Sequence, residues 1–135
     1  MATEFNFELV SPERLLVSGS VSEVVIPASE GEMTVMANHA PTMTTIKPGV
    51  VTVKFADGKT DRYVVFGGFA DILPTGCTLL AESAVHVEGF NRDDITRRID
   101  EARKQLEQAT QDEQKFGIES YIAQLTTLQG TLFAG

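Results

Sequence analysis

His39, His86, Cys77 and the closely spaced acids Glu30 and Glu32 are the residues of this chain whose types and spacing could carry chemistry. Glu30 and Glu32 are two apart, so in an extended segment they share a face, and a carboxylate pair near an imidazole is a known arrangement for general acid–base work. His39 sits behind the turn Ala37-Asn38 and is followed directly by Ala40-Pro41. A turn needs no histidine: glycine supplies positive φ, and proline asks only for an extended residue before it. Against catalysis, His39 has no Cys, Asp or Glu at metal-ligand spacing on a shared helix face or hairpin, so no metal site is expected. The serines lack a nucleophile-elbow context, and no glycine loop with a lysine is present to cradle phosphates. His86 falls in an apparent strand, Ser83 to Val87, and reads as an ordinary hydrogen-bonded histidine. Cys77, in Thr75-Gly76-Cys77-Thr78, reads as a small half-buried residue rather than a reactive thiol. No catalytic residue and no cofactor are expected.

The chain has 135 residues, of which 42% are hydrophobic and 22% charged, enough for one ordinary core and against wholesale disorder. The net charge of −8 argues against nonspecific nucleic-acid binding and against docking on an anionic lipid surface. A single cysteine excludes an internal disulfide framework. The start MATEFNFELV has neither a basic region nor an apolar core, so no signal peptide is expected, and no run approaches the ~20 apolar residues of a membrane span. Any membrane association would come through a partner.

Two periodicities divide the chain. Up to about residue 90 it reads as strands: Phe5, Phe7 and Leu9 alternate with Asn6, Glu8 and Val10, and Val51, Val53 and Phe55 alternate with Thr52 and Lys54. Ala56-Asp57-Gly58-Lys59 is a hairpin signal, and Gly67-Gly68 inside a strand pattern suggests a bulge or a close backbone approach. Many short strands with close turns mean a β-sandwich or barrel. From Asn91, an N-cap followed by Asp93 and Asp94, the period becomes helical, with Ile95, Ile99, Ala102, Leu106 and Ala109 on one stripe. Thr110 with Glu113 resembles a capping box for a second helix carrying Ile118, Tyr121, Ile122, Leu125, Leu128 and Leu132. Two amphipathic helices with a short connection predict an antiparallel hairpin. The expected domains are therefore residues 1–88 and 89–135.

Over essentially its whole length the sequence resembles the epsilon subunit of the F-type ATP synthase, bacterial type. The resemblance rests on Phe7-Glu8-Leu9-Val10-Ser11-Pro12-Glu13, Ser29-Glu30-Gly31-Glu32, His39-Ala40-Pro41, Ile46-Lys47-Pro48-Gly49, Gly67-Gly68-Phe69 and Ile99-Asp100-Glu101-Ala102-Arg103. Each motif alone is weak; together and in order they are specific. The resemblance implies a mainly β plus α fold, a flattened N-terminal β-sandwich of about ten strands followed by a C-terminal antiparallel two-helix hairpin. It also implies a non-catalytic rotor subunit of the central stalk, peripheral on the cytoplasmic face of the inner membrane, that binds gamma and the c-ring and couples proton-driven rotation to ATP synthesis.

Residue by residue, Ser29, Glu30, Gly31, Glu32 and Met33 match the family's c-ring contact, and His39, Ala40, Pro41, Thr42 and Met43 match the region facing gamma. Ile99, Asp100 and Arg103 match a motif that binds ATP in some members, and the hairpin reaches the alpha and beta subunits in some. Here Lys104 stands where alanine is usual, and from Gln105 onward Glu107, Asp112, Glu113 and Glu119 face a single cation, Lys115. An acidic hairpin lacks the positive charge that phosphates or an acidic partner surface require, so weak or no inhibition and weak or no ATP binding are expected. Thr34 replaces a usual glycine, and Ala37-Asn38 replaces a usual Pro-Gly, although asparagine tolerates positive φ. Two other readings fit the residues: a freestanding ligand-binding β-sandwich with a helical lid, and a small hydrolase using His39 with Glu30 or Glu32.

Overall fold

The structure is a computed structural model and describes residues 4–133. It divides into two compact units, the first ending at Val87 and the second beginning at Glu88.

The first unit holds nine strands: β1 (Phe5–Ser11), β2 (Arg14–Ala28), β3 (Gly31–Met36), β4 (Thr42–Ile46), β5 (Gly49–Phe55), β6 (Thr60–Val65), β7 (Gly68–Leu73), β8 (Gly76–Ala81) and β9 (Ala84–His86). They form one continuous sheet in the order β1-β8-β7-β4-β2-β5-β6-β9, with β3 added on β2. The sheet turns back on itself because β2 is 15 residues long and serves both layers. Its first half pairs with β1, and its second half pairs with β3 on one edge and β5 on the other. Val21 closes the first pairing opposite Phe5 and opens the second opposite Phe55, and a register shift between Val21 and Glu23 bends the strand there. β1 also pairs in parallel with β8, so β1, β8, β7, β4 and β2 close a ring around the core. Nine strands are described, where the resemblance implied about ten.

Period-two alternation puts Phe7 and Leu9 of β1, Ile72 of β7 and Leu79 of β8 opposite Val24, Val35 and Val53 in a single buried cluster. Each of these seven side chains is essentially inaccessible, which makes the sandwich a stiff, close-packed scaffold. The hairpin turn after Phe55 is present, closed by Phe55 N–H to Lys59 O at 2.8 Å.

The second unit holds α1 (Arg92–Gln108) and α2 (Asp112–Phe133). Asn91 caps α1 in a full capping box, its side chain accepting from Asp94 N–H while the Asp94 carboxylate accepts from Asn91 N–H. Ile95, Ile99 and Ala102 are buried on one side, and Leu125 and Leu128 on the other. Arg92 donates to Phe133 O at 2.8 Å and Gln129 donates to Thr96 Oγ1 at 3.2 Å, so the start of α1 meets the end of α2 and the helices are antiparallel. The second helix does not begin at Thr110. Its first backbone bond runs from Lys115 N–H to Gln111 O, because α1 ends in an extended residue, Ala109, and the chain needs two more residues to reverse.

Candidate functional site

β2 and β3 form a hairpin whose last pair, Ala28 with Gly31, leaves Ser29 and Glu30 as a two-residue loop. Gly31 has φ +136°, a conformation that side chains rarely adopt, so glycine here allows the tight reversal. Ser29 N–H donates to Thr45 O at 3.0 Å and pins the loop to β4. Ser29, Glu30 and Glu32 are exposed and Gly31 is half-buried. Met33 is half-buried and packs against the core, so it supports the loop more than it displays itself.

β3 then runs six residues, roughly 17 Å at ~3.3 Å per residue, to the second loop. There Asn38 takes φ 65° and donates its N–H to Pro74 O at 2.9 Å, which pins this loop to the β7–β8 turn. His39 N–H donates to Met36 O at 3.3 Å, and its Nδ1 donates to Ala40 O at 2.8 Å. A carbonyl only accepts, so this bond places the ring proton on Nδ1. Thr42 Oγ1–H donates to the same carbonyl at 3.0 Å. Ala40 and Pro41 are exposed, and Met43 is 68% exposed. His39 is thus committed to its own loop and stands a strand's length from Glu30 and Glu32. The two loops are held at opposite ends of β3, which leaves a His39–Glu30 or His39–Glu32 acid–base pair without geometric support.

A further surface was invisible in the sequence. Register across β1, β8, β7 and β4 places Val10 opposite Leu80, Leu80 opposite Phe69, and Phe69 opposite Thr45. The adjoining row is Glu8, Thr78, Asp71 and Met43. Phe69 is 40% exposed and Leu80 39%, and with Val10, Pro12 and Glu82 they line an open groove of about 390 Å³. Met43 is the diagonal neighbour of Phe69, within side-chain reach, so the groove continues the second loop's surface. The signal in sequence is slight: Leu79-Leu80 and Phe69-Ala70 break strict alternation, but only pairing shows that residues 10, 69 and 80 meet.

On α1, the three ATP-motif positions do not converge. Ile99 is buried, whereas Asp100 and Arg103 form an exposed i, i+3 pair at 4.0 Å. Such a pair contributes a few tenths of a kcal/mol, about what any exposed helix pair gives.

The remaining reactive types are engaged structurally. His86 Nε2 pairs with Asp61 Oδ1, and Tyr63 O–H donates to Asp61 Oδ2 at 3.3 Å. Burial, then the Asp61 charge and its hydrogen bond, raise the Tyr63 phenol pKa, so it stays a donor. Cys77 is 3% exposed, more deeply buried than expected; burial and then the Asp71 charge push its thiol up to about 12. A thiol in that state is no nucleophile at neutral pH. Among the described residues no cluster of His, Cys, Asp or Glu could hold a metal, and no helix is long and apolar enough to cross a membrane.

Two exposed loops thus stand at either end of β3 on a close-packed sandwich. The family model for the beta-sandwich domain of the ATP synthase Delta/Epsilon chain matches residues 4–87. The ATP synthase epsilon chain of Rhizobium etli is 70% identical over 130 residues, 96% of each chain. That of Sinorhizobium fredii is 75% identical over 128 residues, 95% of each. A chain in a structure of the Euglena gracilis mitochondrial ATP synthase, containing OSCP, F1 and c-ring, superposes with TM-score 0.76 at 25% identity, covering 98% of this chain and 83% of that one. The chain belongs to the ATP synthase epsilon chain family, and so is a component of an enzyme complex.

Proposed function

We propose that this chain is the non-catalytic rotor subunit of the central stalk in a proton-translocating ATP synthase, peripheral on the cytoplasmic face of the membrane. Its sandwich transmits rotation between the c-ring and gamma. The observation that carries this reading is β3, which holds two exposed loops a strand's length apart on a scaffold that deforms little. Ser29, Glu30, Gly31 and Glu32, backed by Met33, face the c-ring, where the carboxylates accept from basic or amide groups. His39, Ala40, Pro41, Thr42 and Met43 face gamma, and the Val10–Leu80–Phe69 row extends that contact with apolar area.

The 89–135 hairpin is a weak inhibitor or none and binds ATP weakly or not at all. The exposed Asp100–Arg103 pair, the buried Ile99 and the acidic balance after Gln105 support this, and they leave little to contact alpha and beta.

The test is reconstitution. Immobilised gamma should retain the wild-type chain at micromolar concentration and lose most of it with Phe69→Ser/Leu80→Ser, while Glu30→Ala/Glu32→Ala should keep gamma binding and loosen proton coupling in vesicles. Absence of a gamma complex would refute the stalk assignment, and strong suppression of ATPase in an epsilon-free head would refute the view of the hairpin.

A further inference from the structure

β3 is an edge strand. Among the described residues it pairs with β2 alone, in unbroken antiparallel register from Ala28–Gly31 to Glu23–Met36. Pro27 fixes which of its backbone groups face outward. Proline has no N–H, and the Pro27 carbonyl accepts from Lys47 N–H at 3.0 Å, so Pro27 turns its backbone away from its partner Glu32. Antiparallel pairs alternate between bonded and non-bonded. Gly31, Met33 and Val35 therefore bond to β2, while Glu32, Thr34 and Met36 aim their N–H and C=O groups outward. The Met36 carbonyl accepts from His39 N–H at 3.3 Å; the other outward groups have no partner among the described residues. Glu32, Thr34 and Met36 are all exposed.

Such an edge is a template for another strand, and native edges are commonly blunted by lysine, proline or a bulge. β3 has no lysine, proline or register shift, and Glu32 is its one charge. Its ends are already pinned, by Ser29 N–H to Thr45 O and Asn38 N–H to Pro74 O, so an incoming strand meets an edge that needs little further ordering.

We propose that an extended segment of gamma adds to the free edge of β3 as a further strand, held by main-chain hydrogen bonds to Glu32, Thr34 and Met36. This rests on the proposed gamma contact and specifies its form. The edge runs directly into the His39–Met43 loop, and Met36, 54% exposed, ends it where that loop begins. A second copy of this chain fits poorly: two molecules of net charge −8 would meet with Glu32 and Glu23 of each at the shared edge. A ladder along β3 also loads the same strand that carries the proposed c-ring loop at its other end.

Residue-resolved amide exchange on the full chain, free and bound to gamma, tests it. In the free chain the amides of Gly31, Met33 and Val35 should be protected and those of Glu32, Thr34 and Met36 should not. With gamma, the three outward amides should gain at least tenfold protection. A contact made by side chains alone does not produce that alternation. Thr34→Pro removes one outward N–H and no bond to β2, and it should weaken gamma binding by about tenfold relative to Thr34→Val, which keeps the N–H. The exchange comparison needs no variant, so it decides the matter even if Thr34→Pro misfolds. Gamma binding without a gain at 32, 34 and 36 would overturn the strand addition and leave the stalk assignment standing; no gamma complex would overturn both. Protection of the outward amides in the free chain that rises with concentration would assign the edge to a second copy, and a gain produced by the c-ring alone would assign it there; either would overturn the proposal.

Discussion

Gly68→Ala should be among the most destabilising single-methyl additions in this chain. Gly68 opens β7 opposite Ala81 of β8, with φ +128°, and a Cβ built there would lie 2.0 Å from Leu80 O and 2.9 Å from Ala81 Cα. Close carbon–oxygen contacts settle near ~3.3 Å, so the strands would have to part by more than an ångström at that end. The obstacle is backbone on both counts, and no rotamer change relieves it. Backbone strain in this region of φ contributes ~1–3 kcal/mol and forced overpacking another ~1–3 kcal/mol, a combined loss of about 2–6 kcal/mol against a total stability of order 5–15 kcal/mol. With a urea slope of ~1–3 kcal/mol/M for a domain of this size, the midpoint should fall by about 2 M. Far-UV circular dichroism of the full chain in urea reads this out. Gly117→Ala is the control, because nothing lies within 4 Å of its Cβ position in α2 and the change should stabilise by ~0.5–1 kcal/mol. A Gly68→Ala midpoint indistinguishable from wild type would refute the claimed approach of β7 to β8. Because Gly68 also lines the apolar groove, the proposed gamma contact predicts weaker gamma binding by a folded Gly68→Ala chain.

Cys77 should resist alkylation at pH 8 in the folded chain and react at once in urea, measured by thiol-reagent absorbance; prompt reaction without urea would contradict its burial. Its thiol is pushed up to about 12 in the fold, whereas an unfolded cysteine titrates near ~8.5, so its favourable contribution is full below ~8.5 and declines as pH rises toward 12. Asn91→Ala removes one arm of the α1 capping box and should lower hairpin stability by ~1 kcal/mol, seen as earlier melting at 222 nm. No change on that substitution would mean the cap is redundant with packing.

Where local chemistry decides, the sequence was readable. Alternation in Phe5 to Leu9, the Asp57-Gly58 hairpin turn, the Asn91 cap and the Ile95–Ile99–Ala102 stripe all depend on near neighbours, and each is present in the structure. The Gly67-Gly68 pair was legible as a close approach, but its partner, the Leu80 carbonyl, was not. Pairing decides such things, and pairing here joins β1 to β8 and β4 to β7 across long stretches of chain. For the same reason the two loops were legible as exposed turns, while the Val10–Leu80–Phe69 row was not. The second helix shows the opposite failure: Thr110 and Glu113 fit a local motif, yet the reversal after Ala109 moved the start to Asp112.

The proposed contact role of the two loops would depend on how their ends are tied. Among the described residues β3 pairs with β2 alone, so a load between the loops would otherwise pass through a single edge strand. Two backbone hydrogen bonds change that. Ser29 N–H to Thr45 O couples the first loop to β4, and Asn38 N–H to Pro74 O couples the second to the β7–β8 turn. β4 and β7 are themselves paired over five residues, Thr42–Ile72 through Ile46–Gly68. The two loops are therefore bridged twice, along β3 and again through β4 and β7, and both routes put side chains into the one buried cluster, Val35 from β3 and Ile46, Ala70 and Ile72 from β4 and β7. A second route resists shear that one edge strand would yield to, and the residues that complete it, Ser29 and Asn38, act through main-chain atoms. Their side chains are free to vary so long as each backbone can hold its turn, and Asn38 meets that condition at positive φ where a β-branched residue would not.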